Sequence, residues 1–274
     1  MIGVRGAAVI LVPSLILAAL VPAVSAEPEV RERKYHLDNE FWTFLARDAG
    51  GVLASPLSWK PAEILGCAAL LGLTGLAYAH DEDIQSWVQD RRTPGSNEFM
   101  SVVEMGGDAA YLLALLGGAY LAGEIAPSRG LRKTAVLGIE SLAVSGAVVL
   151  GIKCLLGRAR PELGLPSNHF EPFTFQAGFL SLPSGHAASA FAVATSIAAQ
   201  VDSAVADAFL YLLAGLVAVS RVHDNKHWAS DVLLGGALGH VVALKIAHLN
   251  GEGESRVRIA AAVTPLSFGL SVRF

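Results

Sequence analysis

Cysteine is almost absent from this chain of 274 residues: Cys67 and Cys154 are the only two, and each lies inside an apolar stretch. Two cysteines so placed make neither a disulfide framework nor a zinc site, and both read as small buried hydrophobes. Charge is scarce too: 16% of residues are Asp, Glu, Lys or Arg, against roughly 25% in a soluble domain. The formal net charge is -4 and no basic stripe runs along the chain, so nucleic acid is not an expected partner. Internal repeats and low-complexity tracts are missing. So is any oxygen-rich or His/Cys cage of the kind that holds a metal.

What the chain has in excess is apolar residues, 53% of the total, with a mean hydropathy of +0.50. Six apolar stretches, at about 62–80, 108–126, 134–153, 185–200, 205–221 and 229–249, are each long enough, or nearly so, to cross a bilayer. They are rich in Ala, Gly and Leu, which lets helices approach closely in a membrane and equally suits a tightly packed soluble core. The expected fold is all-α, a six-helix bundle over residues 62–250.

The flanks differ from the bundle. Residues 1–26 carry Arg5, an apolar run from Ala7 to Val24, and Val24-Ser25-Ala26 before Glu27, the layout of a secretory signal peptide, with an uncleaved anchor as the rival reading. Residues 27–61, with Trp42, Trp59, Pro56 and Pro61, read as a short amphipathic or irregular arm lying on the rest. Asp81 to Asp90 fits an amphipathic helix with Ile84, Trp87 and Val88 on one side. The tail, 251–274, changes period. Val257, Ile259, Ala261 and Val263 alternate with other residues, and after Thr264-Pro265 so do Phe268, Leu270, Val272 and Phe274, which predicts a β-hairpin. A terminal Phe on such a strand also suits an outer-membrane barrel, but one hairpin makes no barrel.

Three clusters carry chemistry. Lys153 ends an apolar stretch, and Arg160-Pro161 follow it. Either cation alone is an ordinary basic helix end, a role open to Arg158 as well; together they form a pair suited to a phosphate. Pro183-Ser184-Gly185-His186 opens the fourth stretch. Ser184 as a mere N-cap explains itself, but a helix N-terminus also offers free N–H groups to an anion, and Gly185 lets that anion approach the backbone. Ser220-Arg221 closes the fifth stretch, and His227 and Asp231 stand four apart at the start of the sixth. A carboxylate bonded to one imidazole nitrogen fixes the tautomer and leaves the other free to attack. His223 and Asp224 lie nearby without this spacing, and His240 and His248 read as satisfied core or interfacial histidines. If helix direction alternates, all three clusters meet at one end of the bundle.

These residues resemble the type 2 phosphatidic acid phosphatase and vanadium haloperoxidase superfamily. The match takes in Lys153, Arg160, Pro161, Pro183, Ser184, Gly185, His186, Ser220, Arg221, His227 and Asp231, and the helix layout extends it to about 62–249. The resemblance implies that His227 is the nucleophile, forming a phosphohistidine, that Asp231 orients it, and that His186 protonates the leaving alcohol. Lys153, Arg160 and Arg221, with Ser184 and the Gly185 N–H, would hold the phosphoryl oxygens. The activity implied is metal-independent hydrolysis of a lipid phosphate monoester or pyrophosphate, with vanadate as an inhibitor. The alternatives are a soluble periplasmic acid phosphatase, a vanadate-dependent haloperoxidase with vanadate as cofactor, and a non-catalytic lipid-binding protein. The partners expected are a lipid phosphate and a membrane; the oligomeric state stays open.

Orientation contains a conflict. The connection 127–133 holds Arg129, Arg132 and Lys133 and no acid, so the positive-inside rule puts it in the cytoplasm and the catalytic end outside, in the periplasm. That places 27–61 inside, whereas a cleaved signal peptide places it outside. Three resolutions stay open: residues 1–26 do not act as a signal, one stretch does not cross, or the mature chain is soluble and periplasmic. The expectation adopted is a bacterial inner-membrane protein with a periplasm-facing site.

Overall fold

A computed structural model describes residues 33–251, 258–264 and 267–273. The readings of residues 1–26 and of 27–32 lie outside this range. Among the described residues there are nine α-helices. They are α1 (Asn39–Ala54), α2 (Pro61–Ala79), α3 (Asp81–Gln89), α4 (Pro94–Val103), α5 (Ala109–Ile125), α6 (Arg129–Leu156), α7 (Gly185–Ala198), α8 (Ala204–His223) and α9 (Ala229–Leu249). Two strands, β1 (Arg258–Thr264) and β2 (Ser267–Arg273), pair antiparallel as the hairpin the alternation predicts. All six expected helices are present, with three shorter ones added: α1 in the arm, α3 where the amphipathic pattern lies, and α4.

Local chemistry sets the boundaries. Asp38, Asp108, Ser128, Ser184 and Ser203 each cap a helix by accepting from a backbone N–H in its first turn. Helix α6 stops at Gly157, whose φ of 61° is left-handed and whose N–H returns to the Lys153 carbonyl at 2.8 Å. A Cβ there would sit 1.7 Å from the Glu171 carbonyl oxygen, so only glycine lets the chain leave α6 at this angle. The turn delivers the chain from Lys153 to Arg158 and Arg160.

Packing brings α6, α7, α8 and α9 together. Leu112, Leu116, Leu142 and Val193 join α5, α6 and α7. Ala187, Val222 and Val232 join α7, α8 and α9 beside Ile84 and Val88 of α3. Helices α7 and α9 approach closest. A Cβ on Gly235 would lie 2.3 Å from the Ser184 carbonyl oxygen, and one on Gly239 would lie 2.0 Å from that of Ala188. This contact sets Asp231, one turn before Gly235, beside the Ser184 cap. Gly239→Ala should therefore lower the thermal unfolding midpoint in detergent, because overpacking against backbone, about 1–3 kcal/mol, exceeds the gain of about 1 kcal/mol in helix propensity. Gly118→Ala, where nothing lies within 4 Å, should keep that gain. Equal midpoints for the two variants would refute this account of the contact.

At the far end the arm does lie on the bundle. Tyr35 and Phe41 pack with Val136, Leu137, Val144, Val242 and Ile246. Arg33 donates to the fully buried Glu140 and, at 2.8 Å, to Asn250, which in turn donates to Asp48 at 2.6 Å.

Among the described residues four helices, α2, α6, α8 and α9, are long and apolar enough to cross a membrane, and α4 with α5 forms a fifth candidate bent by 56°. Helix α2 has a mean hydropathy of 1.6, and among the described residues none of its span is fully buried, which suits a lipid-facing helix. The chain is a membrane protein. The stretch 185–200 departs from expectation. Helix α7 has 14 residues, a rise of about 21 Å against a hydrocarbon core of about 30 Å. It is enclosed by its neighbours instead, with Ala187–Ala190 and Ala192–Ser196 buried. Cys67 and Cys154 are partly exposed rather than buried as expected.

Candidate active site

The three clusters do meet at one end, where α6 finishes, α7 starts, α8 finishes and α9 starts. The Ser184 N–H donates to the Asp231 carbonyl at 2.9 Å, tying the second and third clusters by backbone, and the His227 N–H donates to the Arg221 carbonyl at 3.2 Å within the third. Lys153 ties in the first. Its ammonium donates to the Leu180 carbonyl and, at 3.2 Å, to that of Ser181, and its Cε is the atom nearest to where a Gly185 Cβ would stand, at 3.9 Å. Gly185 thus has the Lys153 side chain in ordinary contact beside it. The buried Nε groups of Arg160 and Arg221 have no partner within the protein. Buried guanidinium donors left unpaired are suited to an incoming anion.

His227 lies in the turn between α8 and α9, 3% exposed. Its Nδ1 stands 3.6 Å from Asp231 Oδ2, an ion-pair separation longer than the hydrogen bond expected. Such bonds commonly tighten only when substrate is bound. Burial, with Lys153 and Arg160 nearby, pushes His227 down to about 3. Burial, then Arg221, pushes His186 down to about 4. Both imidazoles are therefore neutral at pH 7, which suits His227 to attack and leaves His186 to gain its proton as an anion arrives.

Asp231 is held by side chains that sequence reasoning missed. Oδ2 accepts from Ser181 Oγ at 2.5 Å and from the Trp228 N–H at 2.9 Å, and Oδ1 accepts from Arg158 Nη1 at 2.6 Å. Arg158, read above as a helix-end cation, is a fully buried hub. It also donates to Asp81 Oδ2 at 2.8 Å, Ser230 Oγ at 2.7 Å and the Ser167 carbonyl at 2.8 Å. Asp81 accepts in turn from the Ser230 N–H at 2.9 Å and from Ser230 Oγ at 2.5 Å. Burial disfavours the Arg158 charge, but Asp231 and Asp81 outweigh it and hold the guanidinium above its ordinary value. One signal was available: Lys153, Arg158 and Arg160 place three cations in an apolar setting, and each needs an anion.

His223 and Asp224 are paired after all, Nδ1 to Oδ1 at 3.0 Å, and His223 Nε2 meets Ser96 Oγ at 3.0 Å. Ser96 Oγ also accepts from the Thr93 N–H and donates to the Thr93 carbonyl, so this pair docks the capped start of α4 onto α8. His240 is a satisfied core residue as expected, bonded to Thr195 Oγ1 at 2.8 Å. Among the described residues no group of His, Cys, Asp or Glu is arranged to hold a metal.

Residues 134–252 match the family model described as the PAP2 superfamily. The match covers less than half of the chain. It contains every motif residue assigned above. A lipid A 1-phosphatase of Porphyromonas gingivalis is 36% identical over 120 residues, 42% of this chain and 23% of that protein. The chain thus spans about a quarter of the length of this relative. Two solved structures are similar to this chain. Aquifex aeolicus LpxE aligns at 21% identity with a TM-score of 0.49, covering 61% of this chain and 94% of that one. The transmembrane PAP2 type phosphatidylglycerolphosphate phosphatase of Bacillus subtilis aligns at 20% identity with a TM-score of 0.48, covering 80% and 98%.

Proposed function

We propose that this chain is a phosphoric monoester hydrolase that removes phosphate from a membrane lipid, without a metal, through a phosphohistidine on His227. The observation that carries the reading is a buried neutral imidazole with one nitrogen toward an anchored carboxylate, set among Lys153, Arg160, Arg221 and the start of α7. With Nδ1 toward Asp231, Nε2 is free to attack. The phosphorus–nitrogen bond forms as the phosphorus–oxygen bond to the alcohol breaks, and His186 gives the leaving oxygen its proton. Water then attacks the phosphohistidine and passes a proton to His186, releasing inorganic phosphate and restoring both imidazoles. The three cations, Ser184 and the Gly185 N–H stabilise charge on the equatorial oxygens, the term that dominates phosphoryl transfer.

The substrate class follows from where the site lies. It opens at the ends of apolar helices, next to a loop whose Phe173 and Phe175 are 76% and 83% exposed. Aromatic rings on such a loop suit the membrane interface. A phosphate at headgroup depth can enter while its acyl chains stay in lipid, and the chains then help to position the ester. The similarity to a lipid A 1-phosphatase favours a glycolipid phosphate within this class. The exposed apolar surface of α2 speaks against the soluble acid phosphatase.

The arm lies at the same end as the basic connection, since Arg129 and Lys133 stand over the Tyr35 ring at 5.9 and 5.6 Å. By the positive-inside rule that end is cytoplasmic and the site opens to the periplasm, in a bacterial inner membrane, with residues 33–58 inside.

The test compares a long-chain lipid phosphate in mixed micelles with glycerol phosphate at matched accessible concentration. kcat/KM should be higher for the lipid, activity should persist in chelator, and vanadate should inhibit. Equal or better hydrolysis of glycerol phosphate would reject the lipid reading. Loss of activity in chelator, restored by a divalent metal, would reject the metal-free mechanism.

A further inference from the structure

We infer that Glu104 is an internal stand-in for the substrate phosphate, a carboxylate that pairs with Arg221 and must leave before an anion can bind there. The inference rests on the phosphatase reading and names a residue outside the three clusters that tunes the affinity of its phosphate site.

Arg221 is 5% exposed, and its Nη1 is paired with the Glu104 carboxylate. Asp224 stands behind at 3.7 Å, and Nε is unpartnered. A guanidinium enclosed by helices needs a counter-ion at all times. That counter-ion comes chiefly from a side chain that is itself 38% exposed. The two partners differ in what they can do. Arg221 is fixed by its burial on α8, whereas Glu104 can turn into solvent and recover its hydration.

The backbone under Glu104 is fixed as well. The turn Glu104–Gly107 breaks the bent pair α4 and α5 and sits directly on the site. A Cβ on Gly107 would lie 2.5 Å from Val217 and 2.8 Å from the carbonyl oxygen of His186. No larger residue fits while the turn keeps this seat, so exchange at Arg221 is a side-chain rotation and not a movement of the turn. A phosphate dianion and a carboxylate repel strongly when they share one donor group. Binding of any anion at Arg221 is therefore weakened by the need to displace Glu104. Release of product phosphate is favoured by its return.

The opposite role, a carboxylate that orients Arg221 for substrate, predicts the opposite sign, so one variant decides. Full-length Glu104→Gln in detergent micelles is assayed with an aryl phosphate for KM and for the inhibition constants of inorganic phosphate and orthovanadate. Vanadate binding is also followed directly by vanadium NMR, without turnover. Both inhibition constants and KM should fall about fivefold, the scale of one partly exposed charge pair. Glu104→Ala, which also removes the hydrogen-bonding amide, should move them the same way. Unchanged or raised constants in Glu104→Gln, with wild type binding vanadate normally, overturn the stand-in role and leave the phosphatase reading intact. A wild-type protein that binds neither vanadate nor phosphate overturns both.

Discussion

Replacing His227 with Ala should abolish turnover, by about 10⁴-fold or more, because the covalent step loses its nucleophile. His186→Ala should behave differently. It removes the proton donor to the leaving oxygen, a contribution of about 10²–10⁴ for an alkyl ester. An aryl phosphate, whose leaving group departs without a proton, should suffer far less. The two variants separate on the intermediate. Rapid quench with labelled substrate should trap phosphoenzyme in His186→Ala and none in His227→Ala. Equal labelling of the two would exclude His227 as the nucleophile.

The pH profile of the same reaction follows from the shifts. His227 must be neutral to attack, so activity is lost as pH falls through about 3. His186 must be protonated to act as acid, and burial with Arg221 beside it holds it at about 4. For an alkyl ester kcat/KM should therefore decline as pH rises above about 4. Bound phosphate brings negative charge toward His186 and raises its pKa, so the alkaline limb of kcat should lie at higher pH than that of kcat/KM. In His186→Ala that limb should vanish. A limb that persists there belongs to another group.

Much of this site was legible because its residues announce themselves locally. Pro183-Ser184-Gly185-His186 places a cap, an open backbone and a titratable ring in four residues, and His227 with Asp231 shows one helical turn of spacing. The apolar stretches show which helix ends meet. What stayed hidden depends on pairing across long separations. Asp81 and Arg158 stand 77 residues apart, and Glu104 and Arg221 stand 117 apart. No period or spacing encodes such partners. Asp81 reads as the first residue of an amphipathic helix, off its apolar side, yet its side chain is completely buried. Enclosure of α7 was equally unreadable, since an Ala-rich run suits lipid and a close neighbouring helix alike.

Arg158→Met should cost stability and activity together, and the reason lies in the charges it leaves behind. Arg158 is the shared cation of two carboxylates, Asp81 and Asp231, and all three side chains are 0% exposed. Removing one member of such a buried set costs about 3–5 kcal/mol, because the remaining charges lose their counter-ion out of reach of water. Arg158→Lys should recover little. A single ammonium cannot reproduce the directions in which Arg158 donates to Asp81, Ser230, Asp231 and the Ser167 carbonyl. A double variant separates folding from function. Arg158→Met with Asp81→Asn removes one of the two stranded charges, so the unfolding midpoint in detergent should rise above that of Arg158→Met alone. Asp231 still lacks its Oδ1 donor in that protein, so His227 is less firmly aligned and kcat should stay low while KM changes little. Recovery of stability without recovery of kcat identifies Arg158 as a positioning residue that acts through Asp231. Recovery of both would reduce it to a structural ion pair, and a single variant with wild-type midpoint and kcat would remove it from the site altogether.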